Sequence, residues 1–160
     1  MTTPERKCMN QIVHAAVFGL VLASTPIFGH DGEDSHGAAI GKAGEAAKVS
    51  RTVTVEMTDG MRFIPSTIAV RRGETVRFLV KNSGRLKHEM VLGAVADLKE
   101  HAELMRRFPN MEHADANQVA VDPGMTKELV WQFTKAGKVG FACLQPGHFE
   151  AGMKGKVVIK

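Results

Sequence analysis

Cys143, His148 and Met153 fall within the run Cys143-Leu144-Gln145-Pro146-Gly147-His148-Phe149-Glu150-Ala151-Gly152-Met153. A thiolate, an imidazole and a thioether therefore share one short loop near the C-terminus. His88 lies far upstream, in a stretch that reads as a strand end. Thiolate and thioether sulfur suit Cu(I), and imidazole suits both copper oxidation states. Two imidazoles, a thiolate and a weak axial thioether make the donor set of electron-transfer copper sites. Taken alone, a cysteine is more often a small buried hydrophobe; with its loop partners, Cys143 reads as a metal ligand.

Four such side chains need rigid elements to bring them together. From Arg51 the chain reads as β, with Val53 and Val55 alternating with threonines. Asp59-Gly60 marks a turn. Phe63 to Val70 reads as a second strand, with Pro65 pointing to an edge or a bulge. Glu74 to Lys81 is a third and His88 to Leu92 a short fourth. Between Asp97 and Phe108 the period changes: Leu98, Ala102 and Met105 mark a short amphipathic helix that ends at Pro109. Strands then follow over Gln118 to Val121, Thr126 to Phe133, Lys138 to Cys143 and Lys154 to Lys160. Short strands at regular turns predict an all-β, antiparallel Greek-key sandwich with a short helical insertion. The ligand loop becomes a hairpin connection at one pole, which His88 must reach from its own strand.

The rest of the chain bounds the setting. Arg6 and Lys7 precede an apolar stretch from Ile12 to Leu22, then Pro26 and small residues. This is the layout of a secretory signal peptide, with 1–29 as the expected removed segment and cleavage after Ala23 as the alternative, and the apolar stretch is short for a membrane span. Loss of Glu5, Arg6 and Lys7 with that segment lowers the net charge from +4 to +3. An exported, mildly basic protein is expected, with no nucleic-acid role and no membrane span after cleavage. Of the two cysteines, Cys8 would be removed, leaving Cys143 unpaired in an oxidising compartment, where metal binding would account for it. Residues 30–50, polar and carrying His30 and His36, read as a mobile tail. That leaves 51–160 as the folded domain.

The stretch Met61-Arg62-Phe63-Ile64-Pro65 to Val70, then Gly73-Glu74-Thr75-Val76, Asn82 and His88, resembles the front half of a plastocyanin/azurin-type cupredoxin. Val121-Asp122-Pro123-Gly124, then Gly137 to Met153 and Gly155, resemble its back half. The resemblance covers about residues 51 to 160 in order. It implies one type 1 copper per chain, with His88, Cys143 and His148 as strong equatorial ligands and Met153 as the axial one. The loop spacing, C-x4-H-x4-M, matches neither the plastocyanin-like C-x2-H-x4-M nor the azurin-like C-x4-H-x3-M, but keeps the donor set. The His-bearing tail, His88-Glu89-Met90, the helical insertion and Met111-Glu112-His113 are similar to periplasmic copper-tolerance cupredoxins of bacteria.

The resemblance implies copper tolerance in the periplasm. The alternative is a mobile one-electron carrier, with His148 as electron exit and Leu144, Pro146 and Phe149 as an apolar patch for a redox partner protein. An enzyme is not expected, because there is no spare histidine cluster for a catalytic copper. A monomer is expected. A second, weaker copper site at Met111 and His113 competes with a surface loop holding a buried methionine, and the latter is favoured. Asn82 reads equally as a plain turn residue or as a tie between the His88 segment and the ligand loop.

Overall fold

Two five-stranded sheets face one another across a shared apolar core. A computed structural model of the chain describes residues 40–109, 111 and 115–160; the expected signal segment, His30, His36 and His113 lie outside these residues. The strands are β1 (Lys42–Ala43), β2 (Arg51–Thr58), β3 (Arg62–Ile64), β4 (Thr67–Val70), β5 (Thr75–Asn82), β6 (His88–Gly93), β7 (Gln118–Val121), β8 (Thr126–Gln132), β9 (Gly137–Ala142) and β10 (Lys154–Ile159). An α-helix, α1 (Val95–Arg107), is inserted between β6 and β7. The first sheet runs β1-β8-β5-β2-β3 and the second β4-β10-β9-β6-β7.

The all-β sandwich with one short helix is as expected from the sequence, but three details differ. First, the sandwich is mixed rather than antiparallel: β2 pairs with β5 and β4 with β10 in parallel. Between β2 and β5 the chain visits the other sheet as β4, so it returns to the first sheet running in its original direction. Second, Phe63 to Val70 is two strands. Proline has no N–H to give to a ladder, and at Pro65-Ser66 the chain leaves β2 as partner and takes up β10 in the opposite sheet. Third, the tail expected to be mobile over 30–50 is packed from Ile40 onward. Ile40 is buried and its carbonyl accepts the Trp131 indole N–H at 3.1 Å, while Lys42 and Ala43 pair with β8. This contact is made by backbone and by a distant indole, so a Gly- and Ala-rich stretch shows no period to announce it.

Alternation along the strands sorts side chains between two clusters. Val139, Phe141 and Cys143 point between the sheets, with Met90 and Leu92 of β6, into the main core. Ala142 and Leu144 point the other way, with Val91, and pack under Leu98, Ala102 and Met105 of α1. The helix thus covers the outer face of the second sheet with the three residues its periodicity selects. In the main core Phe63 meets Phe141 edge to face at 5.1 Å between ring centres, and Phe78 meets Phe133 likewise at 6.2 Å. Burying each such ring contributes about 1.5–3 kcal/mol.

Candidate metal centre

Strand register brings the four expected ligands to one end of the sandwich. β6 and β9 are antiparallel, with Val91 opposite Ala142 and Leu92 opposite Phe141. The start of β6, which is His88, therefore lies alongside the end of β9, where Cys143 follows. β10 pairs with β9 from Lys154 opposite Ala142 onward, and the pairing runs one step further: the Cys143 N–H donates to the Met153 carbonyl at 3.1 Å. Residues opposed in this way have Cβ atoms about 4.5–5.5 Å apart, so the methionine stands beside the cysteine because the hairpin ladder puts it there. Within the loop the His148 N–H donates to Gln145 at 2.9 Å and the Met153 N–H to His148 at 3.0 Å. Gly147 turns at φ +85°, which a side chain would disfavour.

The donor atoms converge. His88 Nδ1 lies 3.2 Å from His148 Nδ1, and Cys143 Sγ lies 3.3 Å from His148 Nδ1 and 4.0 Å from His88 Nδ1. Donors each about 2.0–2.3 Å from one metal ion are spaced in this way when they surround it. Among the described residues, His88, Cys143 and His148 are the group of three that could hold a metal ion. His88, Cys143 and Met153 are fully buried and His148 is half-buried, so the site meets solvent through His148.

Burial pushes the Cys143 thiol up to about 12, against the backbone N–H groups of Glu89 and Gln145, which favour the thiolate. The Glu89 N–H approaches Sγ at 3.5 Å. Burial also lowers the His148 pKa, and neighbouring His88 lowers it further while Asp59 opposes. Both shifts favour neutral forms. A neutral imidazole is ready to ligate, whereas the thiol must lose its proton to a metal.

The family model of copper binding proteins, plastocyanin/azurin family, matches residues 49–160. The chain belongs to the plastocyanin/azurin family of copper-binding proteins. Among its curated relatives, the copper-resistant cuproprotein CopI of Rubrivivax gelatinosus is 56% identical over 140 residues, covering 82% of this chain and 85% of the relative. Copper-resistant cuproprotein CopI of Pseudomonas aeruginosa is 36% identical over 178 residues, covering 93% of each chain. In fold the chain is similar to dithionite-reduced auracyanin of Roseiflexus castenholzii, with a TM-score of 0.60, 19% identity and coverage of 70% of this chain and 98% of that one. His88, Cys143, His148 and Met153 accordingly form the type 1 copper-like site of a cupredoxin.

Around this cupredoxin site several expectations change. Asn82 does not tie the His88 segment to the ligand loop. Its Nδ2 donates to the carbonyls of Leu86 and Val121, at 2.8 and 2.9 Å, and its Oδ1 accepts the Gly84 N–H. The tie is made by Glu89, whose buried carboxylate accepts the Leu144 N–H at 3.0 Å and the Gln145 side-chain N–H at 3.3 Å. Leu144, expected in a docking patch, is buried under α1 because it has the opposite parity to Cys143; Pro146 is exposed and Phe149 half-buried beneath the Lys154 ammonium. Met111 packs, half-buried, against the helix cluster, and its expected partner His113 lies outside the described residues. Asp59, read in the sequence only as a turn residue, places Oδ1 3.1 Å from His88 Nε2. An Asp-Gly pair signals a turn and nothing more, so only the fold could bring that carboxylate to the ligand. Among the described residues no helix is long and apolar enough to cross a membrane.

Proposed function

We propose that this cupredoxin is an exported, periplasmic protein that binds one copper ion and cycles it between Cu(I) and Cu(II) in the service of copper tolerance, without catalysing a reaction of its own. The observation that carries the reading is the buried convergence of two imidazole nitrogens and one thiol sulfur within 4.8 Å, backed by a methionine across the hairpin ladder. The relatives' names as copper-resistant cuproproteins support the physiological half. His88, Cys143 and His148 would be the strong ligands and Met153 a weak fourth donor. Copper bound there supplies a one-electron couple. The chain holds the donors at the start of β6 and in the hydrogen-bonded loop between β9 and β10, so both oxidation states meet nearly the same cage, and the core around Cys143 keeps water out.

Half-buried His148, beside exposed Pro146, favours a second reading: a mobile one-electron carrier whose redox partner docks over that imidazole. One experiment tests the site that both readings share, and a second separates them. The purified chain loaded with Cu(II) should take up one copper and show intense visible absorption with a small copper hyperfine splitting; a colourless complex would refute the site. A strain lacking the gene should grow poorly on excess copper. Normal growth on copper with a lowered respiratory or photosynthetic rate would instead establish the carrier.

A further inference from the structure

Asp59 follows the last residue of β2, and its carboxylate reaches the buried rear of a copper ligand. Its Oδ1 lies 3.1 Å from His88 Nε2, while the other ring nitrogen of His88, Nδ1, faces His148 and Cys143. The carboxylate is itself pinned: Oδ2 accepts the Arg85 N–H at 2.8 Å and Oδ1 the Leu86 N–H at 3.2 Å. Gly84 makes room for it, since a Cβ at that position would overlap the Asp59 carboxylate. The turn before β6 is thus built around this one acceptor, and the acceptor is aimed at the imidazole.

We propose that Asp59 is a positioning residue of the copper centre, which selects the His88 tautomer that ligates through Nδ1 and biases the bound ion toward Cu(II). The proposal rests on the copper reading above. A neutral imidazole carries one N–H. With the hydrogen on Nε2, that N–H donates to the carboxylate and Nδ1 presents a bare lone pair to the site. With the hydrogen on Nδ1, a lone pair would face an anion inside the protein and a hydrogen would occupy the ligand position. The carboxylate therefore sorts the two forms before any metal binds. A carboxylate on the far nitrogen also raises the basicity of the ligating one, and the more basic donor favours the more highly charged ion. The Asp59 side chain is 35% exposed, so solvent weakens its charge. Most of the effect passes through the hydrogen bond, and it belongs at the lower end of the 10–100-fold range for residues that support metal ligands.

Asp59→Asn keeps an oxygen for His88 but removes the charge, and Asp59→Ala removes both. Gly84→Ala displaces the carboxylate without altering it, and so provides a test should the Asp59 variants fold poorly. In the copper-free protein, ring 15N shifts should show His88 with its hydrogen on Nε2, and Asp59→Ala and Gly84→Ala should shift that population toward Nδ1–H. In the copper-loaded protein, Asp59→Asn should lower the ratio of Cu(II) to Cu(I) affinity about tenfold, a rise in potential of about 59 mV for a one-electron couple. If all three variants keep both the tautomer and the potential of the parent, Asp59 is only the anchor of its turn and the proposal falls. A parent protein without the strong visible band would instead overturn the copper reading, and the two failures cannot be confused.

Discussion

The two faces of β9 carry opposite tasks. Its inner side chains, Val139 and Phe141, run into the core and lead to Cys143, one of the converging donors. Its outer ones, Ala142 and then Leu144, lie under α1 and meet no ligand. Cys143 and Leu144 are adjacent and both fully buried, yet one belongs to the chemistry and the other to the helix that covers the sheet. Burial therefore does not mark the site, and parity along the strand does. The helix packs against the far side of the strand that ends at the thiol, so the loop leaving β9 is held from both sides.

The strongest way to break this comparison is on the inner face. Cys143→Ser leaves a residue of nearly the same size but removes the thiolate. Complete loss of the intense visible absorption is expected; a surviving band would mean that another donor supplies the sulfur. On the outer face Leu144→Ala removes a packed side chain, and a loss of about 2–5 kcal/mol in unfolding free energy is expected for such a core truncation. Its copper spectrum should stay that of the parent below the unfolding transition. If that substitution changed the spectrum at folding temperatures, the separation of the two faces would not hold.

The same contrast explains what could be read from the chain beforehand. The ligands were legible because copper chemistry demands rare residue types, and Cys143, His148 and Met153 are close in sequence. Helix α1 was legible because Leu98, Ala102 and Met105 recur at the helical period and are the residues it buries. Leu144 was misassigned because a loop residue's parity depends on where β9 ends. The parallel pairs β2·β5 and β4·β10 depend on crossovers that no local pattern encodes. Asp59 reads locally as a turn residue, Asn82 as a turn residue or a tie to the wrong segment, and Glu89 has no role of its own in the sequence, whereas their partners lie on other strands or in the ligand loop. Polar side chains find their roles through tertiary contacts, and a sequence shows only their capacity to donate or accept.

A finer test concerns Met153, which shares the inner face and is held opposite Cys143 by the Cys143 N–H to Met153 carbonyl bond. That bond is made by the backbone, so Met153→Leu should leave the loop and the three nitrogen and thiolate donors in place. Copper should still bind one to one and the visible band should persist. Loss of a weak thioether donor, which suits Cu(I), should shift the reduction potential. If copper binding were abolished, the methionine would be a principal ligand and the ladder would be setting bond strength as well as position.

The mildest effect expected is a proton count, and it too separates the faces. With its thiol pushed up to about 12 by burial, Cys143 carries its proton in the metal-free protein at neutral pH. Only the thiolate ligates copper, so binding must release that proton. About one proton per copper should appear in weakly buffered solution near pH 7, and the apparent Cu(II) affinity should rise about tenfold per pH unit until the thiol itself titrates. The sign is fixed: a group whose proton must leave weakens binding as pH falls. His148 adds little to the count near pH 7, because burial and its neighbour His88 hold its pKa below the ordinary imidazole value. Leu144→Ala should leave the released proton unchanged, since its side chain lies on the other face of the strand. Cys143→Ser should abolish the release altogether. An unchanged proton count in Cys143→Ser would place the displaced proton on another residue and would separate the buried thiol from the metal.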